Sequence, residues 1–227
     1  GYVPLVPLKA GADIAPVFIV HGVGGSVADL FALARAVTYP GPVIGIQARG
    51  LSGQAAPHTS VEAMAEEYLA AVRAQQPHGP YHLCGYSFGG LVAFEMARRL
   101  VQAGEAVGLV GLFDTTTSAL RWPPGVWLAV GWRRLARRLA GKPAPGRGSS
   151  LSKILTSAPA GVLKVAGHAL MASARYRPGF YPGELTLFIP AGRDPALPSP
   201  KAVWRRHART LSVIDAEGAH ATMLSAA

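Results

Sequence analysis

The sequence predicts an α/β fold, a mostly parallel central sheet flanked by helices with a helical lid insertion. Short apolar runs alternate with helical apolar stripes along residues 16–113, as parallel strands joined by helices require. A Gly-x-Ser-x-Gly pentapeptide, Gly85-Tyr86-Ser87-Phe88-Gly89, lies where one such run meets a helical pattern. The alternation breaks at about residue 115 and resumes only after about residue 180, which sets the limits of the lid.

The elements follow in order. Pro16-Val17-Phe18-Ile19-Val20 reads as a buried strand opening into a glycine loop, His21-Gly22-Val23-Gly24-Gly25. Ser26-Val27-Ala28-Asp29 has capping-box spacing ahead of a helix through Leu30, Phe31, Leu33 and Ala34. Val43–Ile46 is a second strand. Thr59-Ser60-Val61-Glu62 repeats the capping signature before the stripe Val61, Met64, Ala65, Tyr68, Leu69 and Val72. Tyr81–Cys84 is the strand entering the pentapeptide, Leu91–Ala97 the helix leaving it, and Gly104 that helix's C-terminal stop. Val107–Phe113 is a fourth strand ending at Asp114. Beyond the lid, Glu184–Ile189 precedes a loop with Asp194, and Leu211–Ile214 leads to Gly218-Ala219-His220.

A chain of 227 residues fits one α/β domain over 1–227, with the lid at about 115–180. Half of its residues are apolar, yet no uninterrupted apolar run approaches the ~20 residues of a spanning helix, so no membrane segment is expected. The start, Gly1-Tyr2-Val3-Pro4-Leu5, lacks the charged and apolar regions of a signal peptide and reads as cut from a longer chain. The single cysteine, Cys84, excludes an intrachain disulfide and is compatible with a cytoplasmic location.

The net charge of +10 has a location. No acidic residue lies between Thr115 and Gly183, a stretch holding half of the 22 lysines and arginines. Arg133-Arg134 and Arg137-Arg138 recur at i, i+4 spacing and so give one charged helix face, either simply solvated or steering an acidic partner. No nucleic-acid recognition motif accompanies the charge, so nucleic acid is not expected as a partner. Trp122, Trp127 and Trp132, with Leu120, Val126, Leu128, Leu135 and Leu139, are expected to form the lid's own small core, the alternative being an acyl channel.

The pentapeptide supplies the chemistry. A serine at a sharp strand-to-helix turn needs glycines two residues away on each side, because side chains there would collide with the strand or the helix. The helix N-terminus offers unpaired N–H groups, so the Phe88 N–H is one expected donor to an oxyanion. Serine also needs a base and a third group to hold the base's tautomer. In the chain order Ser, acid, His, the base is His220, just after the last strand; His21, His58, His78, His82, His168 and His207 are worse placed. Two acids remain open: Asp114, which ends the strand after the elbow helix, and Asp194, one strand later.

Val17–Gly25, Gln47-Ala48-Arg49-Gly50-Leu51, Gly85–Gly90, Leu112-Phe113-Asp114 and Gly218-Ala219-His220 together resemble the thioesterase domains that end nonribosomal peptide and polyketide synthetases. The resemblance runs over nearly the whole chain and is weakest across the lid. It implies an α/β-hydrolase fold, with Ser87 as nucleophile, His220 as base and Asp114 as acid. It also implies that the main-chain N–H of Val23 joins that of Phe88 around the oxyanion. Stand-alone editing thioesterases resemble the Asp194 arrangement, and a generic carboxylesterase on the same fold is a further alternative. The implied substrate is an acyl or peptidyl thioester delivered on the phosphopantetheine arm of a carrier protein, which is the implied partner. No bound cofactor and no metal are expected.

Overall fold

The computed structural model describes residues 2–140, 158–194 and 197–225. Seven strands form one sheet: β1 (Leu5–Lys9), β2 (Val17–Val20), β3 (Val43–Ile46), β4 (Tyr81–Tyr86), β5 (Val107–Phe113), β6 (Tyr181–Pro190) and β7 (Ala208–Ala216). Their spatial order is β1-β3-β2-β4-β5-β6-β7. All neighbouring pairs are parallel except β1 with β3. The helices are α1 (Leu30–Ala36), α2 (Val61–Gln75), α3 (Gly89–Gln102), α4 (Pro124–Leu139), α5 (Ala160–Arg175) and the short α6 (Pro200–Trp204), with a 3₁₀ turn at Ala119–Arg121.

The fully buried β2 divides its side chains between two cores. Phe18 and Val20 meet Met64, Tyr68, Phe94 and Trp204 on one face, while Val17 and Ile19 meet Leu30, Leu33 and Met223 on the other. Period-two alternation between two apolar faces is what makes a sandwiched parallel strand read as a continuous apolar run. The described helices include none long and apolar enough to cross a membrane.

The sheet departs from the sequence expectation at its edges. Strand β1 is absent from that reading because Pro7 interrupts its run. It is nevertheless tolerated, since β1 is an edge strand and proline removes only a donor that a central strand would need. Strands β6 and β7 run longer than 184–189 and 211–214, their polar alternation reflecting a partly solvated edge.

Two caps differ too. Helix α1 begins at Leu30 after Asp29, which makes no side-chain cap bond, while Ser26 Oγ accepts instead from Ala28 N–H (3.1 Å). The cap of α2 is Ser60, whose side chain accepts from Ala63 N–H, so the box is displaced one residue from Thr59.

Helix α4 corrects the reading of the lid. Val130 is buried and Val126 and Arg137 are half-buried, whereas Leu128, Trp132, Leu135 and Leu139 are 75%, 70%, 47% and 79% exposed. The last four fall at i, i+4, i+7 and i+11 and so share one outward face. Arg133 points the other way in helical spacing and donates to Leu197 O (3.5 Å). Arg133, Arg134 and Arg138 are exposed and Arg137 is half-buried, and these apolar side chains form no lid core among the described residues. Trp122 and Val126 pack instead against the main core. Lys142, Arg147, Lys153 and the rest of residues 141–157 lie outside the described residues.

Candidate active site

Strand β4 stops at Tyr86 and α3 starts at Gly89, leaving Ser87 at the turn with φ +55°. A non-glycine residue in that region costs of order 1–3 kcal/mol and persists only where its surroundings impose it. Here Ser87 N–H donates to Phe113 O (2.8 Å). A Cβ on Gly85 would press on the backbone of Gly89 and Gly90, and one on Gly89 on the carbonyls of Val20 and His21. Both glycines are thus required by close backbone approach, as the motif implies.

Asp114 follows β5 directly, also with positive φ (+41°), its N–H bonded to Phe188 O (2.9 Å). Its side chain is 2% exposed. His220 lies on the loop after β7, and its Nδ1 is 2.6 Å from Asp114 Oδ2. An ionised carboxylate only accepts, so Nδ1 carries the proton and Nε2 is left as the basic nitrogen. The imidazole stacks on the Tyr86 ring (centroids 5.1 Å apart, 24° between planes), and Tyr86 OH donates to His220 O (2.6 Å). Burial, with the carboxylates of Asp114 and Asp29, pushes the Tyr86 hydroxyl up to about 12 and keeps it a donor at neutral pH.

Because Tyr86 adjoins Ser87, this stacking brings the base to the elbow. Ser87 Oγ makes no hydrogen bond among the described residues; catalytic contacts of this kind often close only around substrate. Among the described residues, His220 is the histidine bonded to either expected acid. His58 pairs with Glu67, His21 with Tyr68, and His207 with Gly179 O.

The N–H groups of Val23 and Phe88 have no protein acceptor among the described residues. Between the loop and the elbow stands His21, fully buried, with Nδ1 2.6 Å from Gly22 O and Nε2 2.9 Å from Tyr68 OH. Its ring stacks against Phe88 at 6.3 Å. Burial pushes its pKa down to about 4, so it is a neutral strut rather than a second base. Cys84, buried in β4, has its thiol pushed up to about 12 by burial and is inert at neutral pH.

The sequence reading missed two residues here. Tyr86 carries no signal beyond its place before the serine. Arg193 carries no signal beyond its place beside Asp194, yet its Nη1 donates to Asp114 Oδ1. Asp194 lies half-buried beside it. A cavity of about 400 Å³ between α4 and α6, lined by Val126, Val130, Arg133, Pro198 and Arg206 among others, includes no residue of the elbow. The described residues contain no group of three His, Cys, Asp or Glu side chains arranged to hold a metal.

A serine elbow and an acid–histidine pair at the carboxyl edge of a mostly parallel sheet define the α/β-hydrolase class. Residues 15–124 match the family model of the thioesterase domain. Over those residues the chain is similar to a thioesterase domain, and the curated relatives it matches there are synthetases of the nonribosomal-peptide kind. It is 43% identical over 115 residues to malpibaldin synthetase of Mortierella alpina, a match covering 51% of the chain and 2% of that protein. It is 42% identical over 113 residues to an inactive atromentin synthetase of Paxillus involutus, covering 50% of the chain and 12% of the relative. The chain thus spans a small fraction of the curated relatives it matches. A four-domain nonribosomal peptide synthetase aligns over 98% of this chain and 19% of its own, with TM-score 0.74 and 25% identity. The NocB thioesterase domain, solved in covalent complex with a fluorophosphonate nocardicin G analogue, aligns over 95% of this chain and 91% of its own, with TM-score 0.69 and 23% identity.

Proposed function

We propose that the chain is a serine thioesterase that takes an acyl or peptidyl group from the phosphopantetheine thiol of a carrier protein and releases it by hydrolysis or cyclisation. The observation that carries this reading is the His220 Nδ1 to Asp114 Oδ2 contact of 2.6 Å beside a serine held at φ +55°.

His220 Nε2 takes the Ser87 proton as Oγ attacks the thioester carbonyl, and the developing oxyanion draws on the N–H groups of Val23 and Phe88. Collapse of the tetrahedral intermediate breaks the C–S bond, and the thiolate takes the proton back from the imidazolium. Water, or an amine or hydroxyl of the acyl chain, then gives its proton to His220 and attacks the acyl-serine ester. The second tetrahedral intermediate collapses with cleavage of the bond from the acyl carbon to Oγ, and Oγ takes the proton from the imidazolium, which restores Ser87 and His220. No metal and no resident cofactor takes part in these steps. Because Val23 acts through its main chain, Val23→Ala should leave the rate nearly unchanged.

The partner is a carrier protein, with the chain acting as one domain of a larger synthetase in the cytoplasm. The pairing of His220 with Asp114 favours a synthetase-terminal enzyme over the stand-alone editing arrangement, in which the acid stands at Asp194.

The test is intact-protein mass spectrometry with an acyl pantetheine thioester on wild type, Ser87→Ala, Asp114→Asn and Asp194→Asn. The expected result is an acyl adduct or turnover on wild type, lost in Ser87→Ala, with turnover about 10⁴-fold slower in Asp114→Asn and little affected in Asp194→Asn. A folded wild type that neither acylates nor turns over, or that turns over free esters alone, would reject the thioesterase reading.

A further inference from the structure

We infer that Arg193 is a positioning residue of this site: it locks Asp114 in the orientation that serves His220 and sets the pH range in which the imidazole acts as a base. This rests on the reading of Asp114 and His220 as the catalytic pair.

Strands β5, β6 and β7 end side by side and deliver Asp114, Arg193 and His220 from successive loops. The β6 and β7 loops are stitched by backbone bonds, Ala191 N–H to Ala216 O and Gly192 N–H to Gly218 O, both 2.8 Å. Arg193 N–H closes a turn on Pro190 O (3.0 Å). From that fixed base the guanidinium reaches the carboxylate: Nη1 donates to Asp114 Oδ1, and Nη2 to Pro198 O (2.9 Å). Asp114 therefore has one oxygen held by Arg193 and the other by His220, so its carboxylate has no free rotation. The loop that offered the second expected acid contributes a cation to the first.

The pair is poorly arranged for stability alone. Its side chains are 12% and 2% exposed, and desolvating two charges offsets much of their attraction. Arg193 Nε is buried without a hydrogen-bond partner among the described residues, which costs stability rather than adding to it. Burial lowers the guanidinium's pKa from its usual value, while Asp114 and Asp194 act to raise it.

The charged and titratable groups facing the imidazole are Asp114 at the end of β5, Arg193 after β6 with Asp194 beside it, and the Tyr86 hydroxyl on β4, which feels Asp29 ahead of α1. Asp114 alone would favour the imidazolium. Arg193, bonded to the same carboxylate, opposes that attraction with its own positive charge.

The experiment compares wild type with Arg193→Met, Arg193→Gln and Arg193→Lys by two readouts. One is the NMR titration of the His220 ring in the free protein, assigned by its loss in His220→Gln. The other is the pH profile of kcat/KM on an acyl pantetheine thioester, alongside thermal unfolding. In Met and Gln the ring should titrate at higher pH, and kcat/KM should fall about tenfold at the acid end, as for a midpoint displaced by one pH unit, recovering toward high pH. Lys keeps the charge but not the fork, so its rate should fall at every pH with the acid limb in place.

A ring midpoint unmoved in folded Met and Gln variants would overturn the inference, as would a Lys variant displaced as far as Met. A wild type without thioester turnover whose ring midpoint still responds to the Met and Gln changes would reject the proposed activity and leave this inference standing.

Discussion

Trp204 on α6 has no exposed surface, sits 4.8 Å ring to ring from Phe94, and donates its indole N–H to Thr115 O (2.8 Å). Trp132 on α4 is 70% exposed. The same residue type is structural mortar beneath the site and an open face on the lid. Below the sheet edge, position is dictated by backbone: the elbow glycines touch neighbouring main chain, and the loops bearing Asp114, Arg193 and His220 are bonded strand to strand. Helix α4 instead turns Leu128, Trp132, Leu135 and Leu139 to solvent. The elbow and the Asp114–His220 contact are mounted on the first region, so the second can vary in sequence without moving them.

The sharpest way to break this comparison is to truncate both tryptophans. Trp204→Ala should cost about 3–5 kcal/mol, the range for a buried aromatic that leaves a cavity, with a further penalty for the orphaned Thr115 carbonyl. Trp132→Ala should stay within about 0.5 kcal/mol. Chemical denaturation of both variants decides it; equal losses would mean that α4's outward face is covered in solution. Gly85→Ala should follow at about 3 kcal/mol, because the obstructing atoms belong to the backbone of Gly89 and Gly90 and cannot swing aside. Gly131→Ala, with open space around its Cβ, should be neutral or mildly stabilising. A tolerated Gly85→Ala would show that the elbow can relax.

This contrast also marks what the sequence could reveal. The elbow and the alternating strands were legible because close backbone approach and a parallel sheet leave period and glycine signatures. Strand β1 was hidden by Pro7, whose missing donor matters little on an edge. Which of Asp114 and Asp194 lies against the His220 imidazole depends on which loop reaches it, a long-range fact that local pattern does not encode. On α4 the periodicity was present, yet amphipathicity gives a stripe without saying which side meets the core. The arginine spacing was therefore legible, while the exposure of Leu128, Trp132, Leu135 and Leu139 was not. Arg193 was invisible for the same reason as the acid, since its partner lies in another loop.

The next test uses pH. Burial holds His21 down to about 4, against an ordinary 6.5, and it lowers His58 and His207 in the same direction. A group with a depressed folded pKa leaves the unfolded chain binding the extra proton. Its contribution is intact above pH 6.5, is lost as pH falls from 6.5 to 4, and is flat below that. For His21 this amounts to about 3 kcal/mol. Unfolding free energies at pH 7 and pH 5 should therefore fall more steeply in wild type than in His21→Gln. Identical slopes would mean that the strut behind the glycine loop is not held neutral. Helix α4 carries no histidine and should contribute no slope across this interval.

The smallest expected effect concerns Arg134 and Arg138, both exposed on α4 in a stretch without carboxylates. If the floor does the chemistry and the lid meets the partner, reversing these charges should leave stability within about 0.5 kcal/mol and leave turnover of a free pantetheine thioester unchanged. Turnover of the same acyl group presented on an acidic carrier protein should fall several-fold through slower association, and the difference should shrink as salt screens it over roughly 10 Å. The comparison of free and carrier-bound substrate isolates docking, because both deliver the same carbonyl to Ser87. Equal losses on the two substrates would place α4 within the machinery of the elbow. No loss on either would leave its arginines as solvated charges, and the division of labour would then have to be sought elsewhere on the lid.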